Sequence, residues 1–182
     1  MIKPVCTVMV GLPACGKSTL VNRVIRDMGD HGDGVFVYST DNLLEAWAAD
    51  DGKTYNEVFN DLISLATNTM NRELDDAVRS KRSIVWDQTN LSAKKRAKII
   101  NRMRNAGYRI ECESIFFPWG RFQWEDWEKR MRSRPDKTIS DSIIESMKDS
   151  YVLPVVQEGF DVVRYYNMYG DRQSISNANQ LD

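Results

Sequence analysis

Residues 5–19 read Val5-Cys6-Thr7-Val8-Met9-Val10-Gly11-Leu12-Pro13-Ala14-Cys15-Gly16-Lys17-Ser18-Thr19. A short apolar run that breaks at glycine has the pattern of a strand buried on both faces and feeding a tight turn. From Gly11 to Ser18 the spacing is GxxxxGK[ST], with the preceding strand and following helix that this motif requires. The glycines let the backbone curl so that successive N–H groups point at phosphate, and the helix that begins there adds positive potential. On this reading Gly11, Leu12, Pro13, Ala14, Cys15, Gly16, Lys17, Ser18 and Thr19 hold ATP. Lys17 reaches the β- and γ-phosphates, and Ser18 places its hydroxyl on Mg²⁺. Cys15 stands at a variable position of the loop, where packing accounts for it better than redox chemistry does.

Outward from this loop, strand and helix patterns alternate. A helix is expected from Ser18 to about Met28, a glycine-rich loop over Gly29–Gly34, and a strand over Val35–Tyr38. Tyr55, Phe59, Leu62, Ala66, Met70, Leu74 and Ala77 recur at spacings of three and four, which predicts one long amphipathic helix packed on a sheet face. Ile84–Trp86 reads as a third strand, and Ser92 opens a helix with the stripe Ala93, Ala97, Ile100, Met103, closed by Gly107. Tyr108–Phe117 and Val162–Tyr166 read as further strands, Arg121–Met131 and Ser140–Tyr151 as helices. The fold class expected is α/β: a P-loop kinase fold with a central parallel five-stranded sheet flanked by helices. One domain is expected over residues 1–172, followed by a dispensable polar tail over 173–182.

The whole composition sets outer bounds. The chain has 182 residues and a formal charge of -1, so any nucleic-acid contact must come from a local patch. Three cysteines without a CxxC, and the single histidine His31, argue against a disulfide framework or a zinc site. No apolar run approaches the ~20 residues that cross a bilayer. With no leader-like segment before the loop, a cytoplasmic location is expected. No protein partner is evident.

The phosphate loop is common to kinases, switches and motors, so other residues must choose among them. No NKxD-type guanine motif is present, and no apolar strand ends in a paired Asp-Glu. Asp41 instead follows the strand Val35–Tyr38 at the carboxyl edge, where ligands of open α/β sheets bind. There it is placed to accept a hydroxyl proton and orient the nucleophile, although Ser-Thr-Asp is also a helix N-cap pattern. Asp87-Gln88-Thr89-Asn90 follows the third strand in the same manner and suits the acceptor.

Together GLPACGKST, STD ending at Asp41, DQTN at 87–90 and the segment KRMRSRPDK resemble the phage polynucleotide 5′-kinase group, including its branch that phosphorylates 5-hydroxymethyluridine in DNA. The resemblance spans roughly residues 5–165. It implies that Lys17 and Ser18 serve the donor, that Asp41 is the base, and that Asp87, Thr89 and Asn90 bind the acceptor. It also implies an Arg-rich lid over 130–137, from which Arg130 and Arg134 meet the transferring phosphoryl group. The acceptor implied is nucleic acid, DNA ahead of RNA. The sequence departs from the group where an arginine normally follows the base, because Asn42-Leu43-Leu44-Glu45 holds no cation.

Two further features bear on the acceptor. Lys94, Lys95, Arg96, Lys98, Arg102 and Arg104 form a basic run without an intervening acid, which fits either a phosphate-backbone footprint or a solvated helix face. Trp119, Trp124 and Trp127 fit base stacking or core packing. A kinase for a small molecule or nucleoside, and a non-catalytic nucleotide-dependent switch, are the competing readings.

Overall fold

The computed structural model describes residues 3–29, 34–134 and 136–178. Strand β1 (Val5–Val10) is paired along both edges and buried against helices on both faces. It runs parallel to β3 (Ile84–Trp86), with Cys6 opposite Ile84, and to β4 (Arg109–Ile115), with Cys6 opposite Ile110. With β2 (Phe36–Tyr38), β5 (Val162–Tyr166) and β6 (Arg172–Asn177) the sheet order is β2-β3-β1-β4-β5-β6. The chain reverses its direction of travel across the sheet at β1, so a crevice opens at the carboxyl ends beside it.

The first five strands are parallel, as expected; β6 is an additional strand antiparallel to β5. The polar stretch read as a tail therefore forms a sheet edge over residues 172–177. Arg-Gln-Ser-Ile-Ser-Asn shows no apolar alternation because neither face of the strand enters a core, and most of its residues are exposed. The glycine-rich loop and His31 fall largely outside the described residues.

Among the described residues six α-helices accompany the sheet: α1 (Lys17–Met28), α2 (Thr40–Asp50), α3 (Tyr55–Arg79), α4 (Ala93–Asn105), α5 (Arg121–Arg132) and α6 (Asp141–Ser150). Alternation along β1 divides the core. Val8 and Val10 join Leu74 of α3 and Ile100 and Met103 of α4, while Met9 joins Leu20 of α1, Trp127 of α5 and Ile144 of α6.

Two helices depart from the expected pattern, and both departures shape the site. The later turns of α3 pack on the sheet through Met70, Leu74 and Ala77, but Val58 and Ala66 pack on Leu44 and Ala48 of α2. The start of α3, capped by a reciprocal Thr54–Glu57 pair, thus stands beyond the sheet edge rather than upon it. In α4 the buried face is Arg96, Ile99, Ile100 and Met103, not the stripe through Ala97.

Arg96 is fully buried, and each of its three side-chain nitrogens donates a hydrogen bond. Nε and Nη2 donate to Glu158 at 2.8 and 2.6 Å, and Nη1 donates to the carbonyls of Asn90 and Leu91 at 3.1 and 2.7 Å. Arg102 pairs with Asp75 and Arg104 with Asp161. The basic run is thereby divided among a core strut, two tethers and exposed lysines, and does not act as one cationic surface.

Candidate functional site

The loop after β1 is held from below and left open above. The Gly11 N–H donates to the Thr89 carbonyl at 3.1 Å, and Trp127 Nε1 donates to the Pro13 carbonyl at 2.7 Å. Close approach explains both glycines of the motif. A Cβ on Gly11 would lie 2.7 Å from Cys15 Sγ, and one on Gly16, at φ +107°, would lie 3.1 Å from the Met168 carbonyl oxygen. Gly16 is also the N-cap of α1 and supplies no side-chain acceptor, so the first amides of the helix have no capping partner there. That is the electrostatic condition for an anion site.

Lys17 Nζ donates to its own loop, to Gly11 and Leu12 carbonyls at 2.9 and 2.6 Å. Pro13, Ala14, Gly16, Ser18 and Thr19 line the cleft with it. Leu12 and Cys15 lie buried underneath. Burial pushes the Cys15 thiol up against the opposing charge of Lys17, so it is held as an unreactive thiol.

Across the cleft, α2 presents Asp41. The capping role falls to Ser39, whose Oγ accepts from the Asn42 N–H at 3.3 Å, leaving the Asp41 carboxylate to face the cavity. Tyr55 Oη donates to Asp41 Oδ1 at 2.9 Å, and Lys137 Nζ donates to Oδ2 at 2.7 Å and to Glu45 Oε1 at 2.7 Å. Burial raises the Asp41 carboxyl, but the charge and hydrogen bond of Lys137, with the Tyr55 hydroxyl, outweigh it and hold the group below its ordinary value. Tyr55 is correspondingly raised, by burial and then by the Asp41 charge.

Asp87 takes the opposite course. Its N–H donates to the Tyr38 carbonyl at 2.9 Å, fixing the end of β3 against β2. Burial raises its carboxyl, Lys17 opposes, and Asp41 adds to the rise. The two carboxyls of the cleft are thus driven in opposite directions. The Lys17 charge acts on both.

Lys17, Ser18, Asp41, Asp87, Thr89 and Arg134 all line one cleft of about 850 Å³. Arg130 also borders it, on the side of the phosphate loop. Its Nη1 donates to the Met168 carbonyl at 3.1 Å and its guanidinium lies 5.8 Å over the Tyr169 ring. Arg134 approaches Glu45 at 3.8 Å.

Asn90, expected at the acceptor, is instead fully buried. Its amide donates to the carbonyls of Met9, Gln88 and Trp86 at 2.8, 3.2 and 3.3 Å. It stands at φ +46°, a conformation asparagine tolerates better than most residues, and it pins the turn after β3 to β1. The tryptophans are likewise internal. Trp119 and Trp127 are buried, and Trp124 contacts both at ring separations of 5.5 and 5.0 Å.

Tyr55, Lys95 and Lys137 are among the cleft residues that sequence reasoning does not mark as functional. Tyr55 was counted in the core stripe of α3, Lys95 in the basic run and Lys137 as the last letter of the Arg-rich segment. Only the pairing of Tyr55 and Lys137 with Asp41 distinguishes them, and that pairing joins residues 14 and 96 positions apart.

Among the described residues no cluster of three or more His, Cys, Asp or Glu side chains forms a ready metal cage. The donor set that faces the loop, one serine hydroxyl and a nearby carboxylate, fits a hard cation that takes most of its ligands from phosphate and water. No helix among the described residues is long and apolar enough to cross a membrane.

A family model described as an AAA domain matches residues 7–154. Among solved structures, a component of the PezAT chromosomal toxin–antitoxin system of Streptococcus pneumoniae superposes with a TM-score of 0.64 at 12% identity, over 98% of this chain and 75% of that one. A kinase candidate from Chloroflexus aurantiacus J-10-fl gives 0.66 at 14% identity over 100% and 91%. A chain of the Pnkp1/Rnl/Hen1 complex gives 0.50 at 18% identity, over 71% of this chain and 40% of that one. At these identities the likeness is one of fold.

Proposed function

The chain belongs to the AAA domain family, and from that premise we propose that it is an ATP- and Mg²⁺-dependent phosphotransferase that phosphorylates a hydroxyl on nucleic acid. A P-loop domain implies nucleotide binding; the observation that carries the further step is Asp41. A carboxylate released from capping duty and facing the same cleft as Lys17 is what an alcohol acceptor needs, and a nucleotide switch has no use for it. Asp87 is followed by Gln88 rather than a second acid, which sets the site apart from the paired carboxylates sought for motors.

In the proposed reaction the acceptor hydroxyl donates its hydrogen bond to Asp41, which keeps it in line with the γ-phosphorus. A new O–P bond forms as the bond to the bridging oxygen breaks, ADP leaves, and the hydroxyl proton passes to the Asp41 carboxylate. Little basicity is required, because the transition state is loose and the proton moves late. A carboxylate kept ionised by Lys137 and Tyr55 therefore suits orientation more than proton abstraction. Carboxylate oxygens offer about four acceptor positions, so two remain after Tyr55 and Lys137.

Ser18 and Asp87 would hold Mg²⁺, which would supply positive charge against the β- and γ-phosphates. Lys17 turns from its loop carbonyls to the phosphate oxygens. Arg130 and Arg134 stand on the lid segment, where a guanidinium can meet charge developing on the transferred group. A nucleic-acid acceptor is supported by the resemblance of the STD and DQTN segments and by the cations that line the cleft.

The test is transfer of radiolabel from γ-labelled ATP to three acceptors: DNA with a free 5′-hydroxyl, DNA containing 5-hydroxymethyluracil, and a panel of nucleosides. Label is expected in a DNA, with Asp41→Asn reducing kcat by roughly a hundredfold or more. Label confined to small molecules would remove the polymer from this reading; undiminished transfer by the Asp41→Asn variant would remove the base.

A further inference from the structure

Asp41 is placed to receive the hydrogen bond of an incoming alcohol, and one hydroxyl of the chain itself already makes that bond. Tyr55 Oη donates to Asp41 Oδ1 at 2.9 Å. Tyr55 opens α3, just past the Thr54 cap, and lines the same cleft as Lys17 and Ser18. A phenol has one proton, so giving it to Asp41 leaves the oxygen lone pairs for a nucleophilic role. Four other hydroxyls of the cleft are turned elsewhere: Ser39 Oγ accepts from the Asn42 N–H, Thr40 Oγ1 from Gln88, and Thr138 Oγ1 from Asn56, while Ser133 Oγ donates to the Arg130 carbonyl.

The phenol is held on the carboxylate by what surrounds it. Its ring lies 5.4 Å from that of Phe59, one turn further along α3. Lys137 Nζ sits 4.2 Å from the ring centroid while it donates to Asp41 Oδ2 and Glu45 Oε1 at 2.7 Å each. The segment that carries Lys137 is tied to the start of the same helix: the Thr138 N–H donates to Asn56 Oδ1 at 3.1 Å, and the Asn56 amide donates back to the Thr138 carbonyl at 3.1 Å. A phosphoryl group formed on Oη would meet two cations, Lys137 over the ring and Arg134, whose charge acts on Tyr55. It would add about 1.5 to 2 negative charges beside Asp41 and Glu45, enough to repel both carboxylates and draw Lys137 away from them.

We propose that Tyr55 is an internal phosphoryl acceptor: with ATP bound and no alcohol in the cleft, its hydroxyl takes the γ-phosphate, and the modified side chain then closes the site. The assignment rests on the phosphotransferase reading, since it uses the same donor and the same base. Tyr55 Oη forms the new bond to the γ-phosphorus, the bond to the bridging oxygen breaks, ADP leaves, and the phenolic proton passes to the Asp41 carboxylate. No further reactant is needed. Phosphotyrosine then fills the space an acceptor hydroxyl must enter, and Asp41 loses Lys137 to the new anion. Enzyme left with ATP alone would silence itself.

The experiment incubates the phosphatase-treated full chain with γ-labelled ATP and Mg²⁺ in the absence of acceptor, maps the label by tandem mass spectrometry, and then measures turnover with the DNA and nucleoside acceptors. Label is expected on Tyr55, rising toward one phosphoryl group per chain at a rate independent of protein concentration. Turnover after this incubation should be about tenfold below that of enzyme incubated without ATP. Tyr55→Phe, which keeps the ring, should lose the label and the decline together, and Asp41→Asn should slow labelling roughly a hundredfold. Label on Thr40 or Thr138 instead, or a rate that rises with protein concentration, overturns the internal acceptor. So does a chain that phosphorylates an added alcohol while its own Tyr55 stays unlabelled, and in that case phosphotransfer stands. Labelled Tyr55 with undiminished turnover overturns the closure. Label on Tyr55 with none in any added alcohol keeps the internal acceptor and removes the nucleic-acid reading, and label in neither overturns phosphotransfer itself.

Discussion

The two banks of the cleft are built by different means. The donor bank is backbone: amides of one contiguous loop, held by carbonyl contacts and by glycines that admit no Cβ. On the function proposed above, the acceptor bank is side chain: Asp41 from α2, Tyr55 from α3 and Lys137 from beyond α5, gathered from three places in the chain. A polyphosphate presents the same oxygens whatever the reaction, so its cradle can be a fixed local design. Acceptors differ, and side chains on separate helices can be exchanged one at a time without disturbing the fold. The contrast predicts that substitutions on the donor bank abolish activity, while those on the acceptor bank redirect or retune it.

The largest effect belongs to the donor bank. Lys17→Ala removes the loop charge expected to reach the phosphates, and kcat/KM should fall on the order of a thousandfold. A variant retaining a tenth of wild-type activity would show that the loop amides suffice and would break the contrast. Next comes the buried strut of α4. Arg96→Met leaves Glu158 without its partner and two carbonyls of the Asn90–Leu91 turn without a donor, at a cost of about 3 kcal/mol in urea unfolding. Replacing Glu158 with Gln in the same chain should recover part of that loss, which a purely steric role for Arg96 would not allow.

A smaller effect is expected at Lys137. Lys137→Met should lower kcat/KM at neutral pH roughly tenfold, and the sign of its pH effect follows from the environment of Asp41. Burial raises that carboxyl and Lys137 lowers it, so loss of the cation moves the acidic limb of the profile toward neutrality. In the wild type Asp41 stabilises the fold above its unfolded value, and this contribution is lost as pH falls through the lower folded value. An acidic limb that stays in place would separate Asp41 from the chemistry. Least of all, Arg102→Ala breaks an exposed pair with Asp75 and should change stability by less than about 0.5 kcal/mol, with oligonucleotide affinity unmoved. A drop in affinity would restore the basic run as a contact surface.

Legibility in the sequence follows the same division. The strand Val5–Val10, the loop after it and the strand Ile84–Trp86 are local patterns, and the structure keeps them at the expected bounds. Asp41 is legible because it follows closely on the strand that ends at Tyr38. Its partners are not, since Tyr55 obeys the helical period whether it faces a core or a cleft, and Lys137 becomes distinctive only once the segment after α5 meets α2. Arg96 was unreadable for a related reason: an arginine within a basic run looks solvated until Glu158, 62 positions later, claims it. Asn90 misled in the other direction, because a turn asparagine and a ligand asparagine are the same letter.

Strand β6 reaches further than its polar sequence suggests. By pairing with β5 it closes a hairpin whose tip offers the Met168 carbonyl to Arg130, the Gly170 carbonyl to Arg23 of α1, and the Tyr169 hydroxyl to Asp126 of α5. The same carbonyl of Met168 abuts Gly16. The far edge of the sheet is thus a buttress for the nucleotide end of the molecule, and trimming the chain before Arg172 would be felt as slackness at the phosphate loop rather than as the harmless loss of an appendage.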